Sequence, residues 1–161
     1  MKAVILINPY YDNVSYRHQC SRLKAELEKL GVSVEVRRNI LTATIADNKI
    51  ISEIGDADFC VYLDKDCYAS EMLEKTGMRL FNRHSAIRAC DDKMTTAIKL
   101  SGQGIRLPKT LPAPMCYAED ARLDEQYLNM IEAELGYPLV VKSSFGSLGA
   151  GVARAIPSVV S

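Results

Sequence analysis

The sequence lacks several features, and each absence removes a class of function. There is no net charge: 20 Lys and Arg offset 20 Asp and Glu. No overall basic excess therefore draws the chain to nucleic acid or to an anionic membrane, although a neutral total leaves room for a local patch. No apolar run approaches the ~20 residues of a membrane span. The opening stretch MKAVILINPYY is too short for a signal-peptide core and has no small-residue cleavage site. The expectation is a cytoplasmic protein with neither nucleic-acid nor membrane partners. No C-x-x-C occurs among the five cysteines, at 20, 60, 67, 90 and 116, and neither His18 nor His84 has a cysteine at zinc-site spacing. The cysteines read as reduced, mostly buried small hydrophobes, with no metal ligand set among them. There are no repeats and no low-complexity tracts.

Strand and helix patterns alternate in what remains. AVILI (3–7) is a continuous apolar run, as in a strand buried on both faces of a parallel sheet. Tyr16, Cys20, Leu23, Leu27 and Leu30 then recur at helical spacing, with Ser15 as a candidate N-cap and Gly31 as the stop. VSVEVRR alternates as a strand does, a polar helix is expected near 47–54, and DFCVYL is a second buried strand. A helix over about 67–76 ends at Gly77, and MRLF is a short strand. This order implies a parallel sheet covered by helices on both faces.

The character changes at Asn82. NRHSAIRACDDKMTTAIKLSGQG reads as a short helix, a break near Asp91-Asp92 and a second helix that Lys93 opens. IRLPKTLPAP is a proline-rich loop with a short strand expected around Lys109 to Leu111. LDEQYLNMIEAELG is an amphipathic helix stopped by Gly136, and YPLVVKS is a strand. The domain boundary is expected near residue 86.

The stretch LVVKSSFGSLGAGV (139–152) carries the clearest chemistry. It is not a Walker A loop, because its lysine precedes the glycines. Nor is it the dinucleotide fingerprint: the order is Gly146-x-x-Gly149-x-Gly151, and the short apolar segment that follows, closed by Pro157, is a poor helix. The loop is expected to join two antiparallel strands. Its glycines permit positive φ and close backbone approach, Ser143, Ser144 and Ser147 add hydroxyls, and successive backbone N–H groups in such a turn can cradle an anion. A merely flexible hairpin loop is the alternative. Lys142 ends an apolar strand, where a charge is costly unless it projects toward a partner. Lys93 opposes its helix dipole, which suits either a surface pair with Asp91 or Asp92 or a cation held for an anionic ligand.

The succession Asn82…Cys90-Asp91-Asp92-Lys93…Gly104-Ile105…Leu107-Pro108-Lys109-Thr110, followed by Tyr137-Pro138-Leu139-Val140-Val141-Lys142 and Gly146-Ser147-x-Gly149-x-Gly151-Val152, resembles the ATP-grasp superfamily. Within it, the chain is most similar to the glutamate-ligase-like branch related to the ribosomal protein S6 modification enzyme, over about residues 80–152. The resemblance implies an α/β fold: a Rossmann-like parallel sheet (the pre-ATP-grasp domain, 1–86) followed by the small α+β first lobe of an ATP-grasp domain (87–161). It implies that Lys93, Lys142, Ser143, Ser144, Gly146, Ser147, Gly149 and Gly151 contact ATP, the loop folding over the β- and γ-phosphates. It further implies a carboxylate–amine ligase that forms an amide through an acyl phosphate, with ATP and Mg²⁺ as cofactors and small-molecule or peptide carboxylates and amines as substrates. The second lobe of the family, with its metal ligands and adenine pocket, is not recognisable in the residues after the loop. The expectation is therefore the N-terminal portion of a ligase, inactive by itself. The alternative is a truncated, inactive remnant serving as a binding or homo-oligomerisation module. NPYYDN lies at the carboxyl end of the first strand, where open α/β sheets bind ligands; Asn8, Tyr10, Tyr11 and Asn13 are candidate substrate contacts, against the simpler reading of a polar loop with surface tyrosines. Asp64, Lys65 and Asp66 read as a solvated charged loop.

Overall fold

The computed structural model describes residues 1–118, 120–122 and 124–156. Its chain divides into two compact units, 1–88 and 89–161.

The first unit is built on a four-stranded parallel sheet in the order β2-β1-β5-β6, with β1 at Lys2–Ile7, β2 at Ser33–Arg38, β5 at Phe59–Leu63 and β6 at Leu80–Phe81. The two runs predicted to be buried, AVILI and DFCVYL, supply the two central strands. Strand alternation sends Val4, Leu6, Cys60, Tyr62 and Leu80 to one face, where Leu73 of helix α2 (Cys67–Lys75), Ile54 and Ile87 close over them. Ala3, Ile5 and Val34 point to the other face and meet Cys20, Leu23 and Leu27 of helix α1 (Val14–Lys29). Burial on both faces is why β1 carries no polar position between Ala3 and Ile7.

Several local expectations are corrected. The polar helix near 47–54 is a β-hairpin instead, β3 (Ala43–Ala46) against antiparallel β4 (Lys49–Ser52). Asp47 and Asn48 turn it at φ 48° and 60°, the left-handed pair that a two-residue hairpin loop needs and that Asp and Asn tolerate. The flanking Thr44, Ile45, Ile50 and Ile51 are β-branched, which favours strand. Helix α1 is capped by Asn13, whose carboxamide accepts the Tyr16 N–H at 2.9 Å, and not by Ser15. Leu30 falls just past the last turn and is exposed. Only Cys20 and Cys60 are buried; Cys67 is half-buried and Cys90 and Cys116 are exposed. Burial pushes the Cys60 thiol up to about 12.

The second unit runs from the end of helix α3 (His84–Asp91) through helices α4 (Lys93–Leu100) and α5 (Glu125–Leu135) to an antiparallel hairpin, β7 (Leu139–Lys142) with β8 (Val152–Ala155). The strand expected around Lys109 to Leu111 is irregular backbone, consistent with three prolines between 108 and 114; Lys109 pairs with Glu134 of α5. Among the described residues of this unit none reaches full burial, and Ile98, Val140, Val141 and Phe145 are all more than half exposed. Pro157 lies outside the described residues.

Candidate functional site

The break at Asp91-Asp92 is a helix boundary with a defined cap. The Asp92 carboxylate accepts the N–H groups of Met94 at 2.8 Å and Thr95 at 3.0 Å, and the bond from Thr95 leads the causes that hold that carboxyl below the usual carboxylate range. Thr96 locks the corner, its hydroxyl donating to the carbonyls of Ala89 at 2.7 Å and Asp92 at 2.9 Å. This geometry leaves Lys93 as the first residue of α4.

Lys93 reaches the glycine-rich loop. Its backbone N–H donates to the Ser144 carbonyl at 2.9 Å, and its Nζ donates to the Gly146 carbonyl at 2.9 Å. The loop is the expected link between two antiparallel strands. Its neck is closed by Ser143 N–H donating to Gly151 O at 2.8 Å, and its tip by Ala150 N–H donating to Ser147 O at 3.1 Å. Gly146, Leu148, Gly149 and Gly151 all have positive φ. At Gly151 glycine is required twice over: φ is +69°, and a Cβ there would stand 2.9 Å from the Ser143 Cβ. Among the described residues, no backbone or side-chain acceptor takes the N–H groups of Ser144, Phe145, Gly146, Leu148 or Gly149. Lys142, paired in register with Val152 at the end of β7, is exposed and makes no hydrogen bond or ion pair with the described residues. The loop thus carries three serines, the Lys93 ammonium bound at Gly146, and amides of Ser144, Phe145, Gly146, Leu148 and Gly149 that no described acceptor takes, with Lys142 on the adjoining strand; groups of this kind can bind an anion.

No protein-family model matches the chain. Among solved structures it is similar to a RimK domain ATP-grasp protein from Sphaerobacter thermophilus, with a TM-score of 0.69 and 19% identity over 98% of this chain and 56% of that one. The fold is that of an ATP-grasp N-terminal part. The D-alanine–D-alanine ligase of Bacillus anthracis superposes over 98% of this chain and 50% of its own, with a TM-score of 0.68 and 20% identity. Curated proteins similar to this chain include beta-citrylglutamate synthase B of Danio rerio, 40% identical over 94 residues, or 57% of this chain and 21% of that protein. Another is alpha-aminoadipate–LysW ligase LysX of Sulfurisphaera tokodaii, 31% identical over 107 residues, or 64% of this chain and 34% of that protein. The chain therefore spans about a fifth to a third of the length of these curated relatives.

The other candidates fall in the first unit. Asn8 lies at the carboxyl end of β1, and its side chain is engaged inward: Nδ2 donates to Asp64 Oδ1 at 2.9 Å, and Oδ1 accepts the Tyr10 N–H at 2.8 Å. Tyr10 is almost wholly exposed, while Tyr11 stacks edge-on against Tyr16 with centroids 5.2 Å apart. The reading of Asp64 as solvated is corrected. It is buried to 9% exposure at the carboxyl end of β5, and it accepts bonds from Asn8, from Asn39 Nδ2 at 2.8 Å and from the Lys65 N–H at 2.7 Å. A carboxylate is taken out of water only where such donors replace it. Asp66 is the N-cap of α2. The network continues through Asn39 to the Tyr62 hydroxyl at 3.1 Å, and burial pushes that phenol up. The available signal was positional: Asn8 and Asp64 each end one of two neighbouring central strands.

No group of three or more His, Cys, Asp or Glu side chains comes together as a metal site among the described residues. No step is therefore assigned to a metal held by them. No helix among them is long and apolar enough to cross a membrane.

Proposed function

We propose that this chain supplies the phosphate-gripping part of an ATP-dependent carboxylate–amine ligase. The observation that carries the reading is the pairing of Lys93 with the loop: its ammonium already sits on the Gly146 carbonyl, beside amides that no acceptor among the described residues takes. A triphosphate offers that ammonium a stronger, charge-assisted acceptor than a neutral carbonyl. Lys142 would add the second positive charge, and the loop amides would donate to the oxygens of the transferring group, where fixed donors count most. Bound ATP would supply the phosphoryl group that turns a carboxylate into an acyl phosphate open to attack by an amine. One named relative is a beta-citrylglutamate synthase and another an alpha-aminoadipate–LysW ligase, so an acidic amino acid is the substrate class to try first.

The test is a thermal melt with and without millimolar Mg-ATP, repeated with Lys142→Ala. Half-saturation of this open site stabilises the fold by RT ln 2, about 0.4 kcal/mol. For a chain of this size that is a shift of roughly 1–2 °C. A small shift that Lys142→Ala removes supports the reading, and no shift in the unsubstituted chain overturns it for this protein. A second reading, a binding or oligomerisation module without catalysis, has one observation in its favour: the second unit leaves Ile98, Val140, Val141 and Phe145 open to solvent.

A further inference from the structure

We propose that the β3–β4 hairpin is a self-association edge, through which two copies of this chain pair antiparallel along β4. The inference goes beyond the ligase reading and does not depend on it. The hairpin register decides which groups are free. Glu53 N–H donates to Thr42 O at 2.9 Å, so the hydrogen-bonded rungs are 42/53, 44/51 and 46/49, while 43/52 and 45/50 are the open rungs. The N–H and C=O of Ile50 and Ser52 therefore point away from β3. Among the described residues, no further strand pairs with β4 and no other backbone group bonds these atoms.

A two-fold axis through Ile51 satisfies those groups. It places Ile50 opposite Ser52 of the second copy, and Ser52 opposite Ile50, giving four main-chain hydrogen bonds between strands. The same axis places Lys49 opposite Glu53 of the second copy, and the reverse. Residues 49, 51 and 53 share one strand face by alternation. It is the solvent face, since Ile50, Ser52 and Ile54 turn toward α2 and the core while Lys49, Ile51 and Glu53 are exposed. The paired hairpins would thus put Ile51 against its own symmetry mate, flanked by two ion pairs. Neither the Lys49 nor the Glu53 side chain has a partner within the described chain. The β3 edge lacks this complementarity: an axis through Thr44 sets Asp47 against Leu41 and pairs no charges. A lone edge lysine commonly guards a strand against pairing, but Glu53 at this spacing makes the guard self-complementary.

Four residues of strand make a small interface, so the dimer is weak and concentration-dependent. The test is the weight-average mass of the full chain by sedimentation equilibrium up to millimolar concentration and at low salt. The unsubstituted protein should rise from 17.8 kDa toward twice that value. Lys49→Glu and Glu53→Lys should each stay monomeric, because each sets like charges opposite one another. An equimolar mixture of the two variants should recover the dimer, since every cross-strand pair is then of opposite sign. Both substitutions are on exposed side chains, so the fold is retained. An unsubstituted chain that stays monomeric, a dimer that survives either single reversal, or a mixture that fails to associate overturns the proposal.

Discussion

Replacing Gly151 by alanine isolates what the neck of the glycine-rich loop requires. Two costs act there. An L-residue at φ +69° is in the left-handed region, at about 1–2 kcal/mol. The new Cβ also meets the Ser143 Cβ at 2.9 Å, where carbon atoms ordinarily rest about 3.5–4 Å apart. Ser143 cannot retreat without stretching its bond to Gly151 O, which contributes about 0.5–1.5 kcal/mol. Together these make roughly 2–3 kcal/mol in favour of an open neck, or a loss of protection at the Ser143 amide of roughly 30- to 140-fold at about 1.4 kcal/mol per tenfold. Amide hydrogen exchange followed by NMR reads that site directly. Gly149→Ala is the control, since its φ is +79° but nothing lies within 4 Å of its would-be Cβ; it should disturb the tip and leave Ser143 nearly as protected as before. Adding Ser143→Gly to Gly151→Ala removes the opposing Cβ and should leave only the backbone strain of the introduced alanine. Unchanged exchange at residue 143 in Gly151→Ala, or the same loss in Gly149→Ala, would refute the reasoning.

Asp64→Asn should lower stability by about 2–3 kcal/mol in a chemical melt, because it turns an acceptor of three N–H bonds into a group whose amide faces other donors; a change within error would show that the network is not holding the sheet end. The Asp92 carboxyl is lowered in the folded state, so its contribution is present above the ordinary Asp pKa and is lost as pH falls through that value and then through the lower folded one. Asp92→Asn keeps a capping oxygen while removing the titration, so helicity lost on acidification should be smaller in the variant than in the parent by circular dichroism. Cys60, pushed up to about 12 and buried, and Cys20, also buried, should resist thiol reagents in native protein at pH 8 while Cys90 and Cys116 react; equal reactivity of all five would contradict the buried placement.

The parts of the fold that were legible in the sequence are those where one physical demand dominates. AVILI and DFCVYL have no polar interruption because both faces are covered, and Gly31, Gly77 and Gly136 follow helix ends at positive φ. The 47–54 segment misled because Asp47, Asn48 and Lys49 made it look like a polar helix, while the signal lay in the β-branched residues on either side and in an Asp-Asn pair suited to a tight turn. At the candidate site, the helix-opening place of Lys93 was readable from local pattern. Its bond to Gly146 was not, because that contact joins residues 53 apart and depends on tertiary packing. Asp64 was misread for a related reason: composition marks Asp-Lys-Asp as surface, and only the donors Asn8 and Asn39, brought to it by neighbouring strands, make burial of its carboxylate possible.

The position of β1 has a consequence for biosynthesis. Strand β1 is made before both of its neighbours, β2 on one side and β5 on the other. Its apolar run is complete at Ile7, but its second neighbour is finished only at Leu63, about 55 residues later. At about 5–20 residues per second of synthesis, that leaves AVILI with an open edge for roughly 3–11 s on every chain made. An uncovered apolar strand is a template for pairing with other chains during that interval. Yield should therefore fall when translation between codons 8 and 63 is slowed, and recover when a holdase is supplied, with no change in the stability of the finished protein.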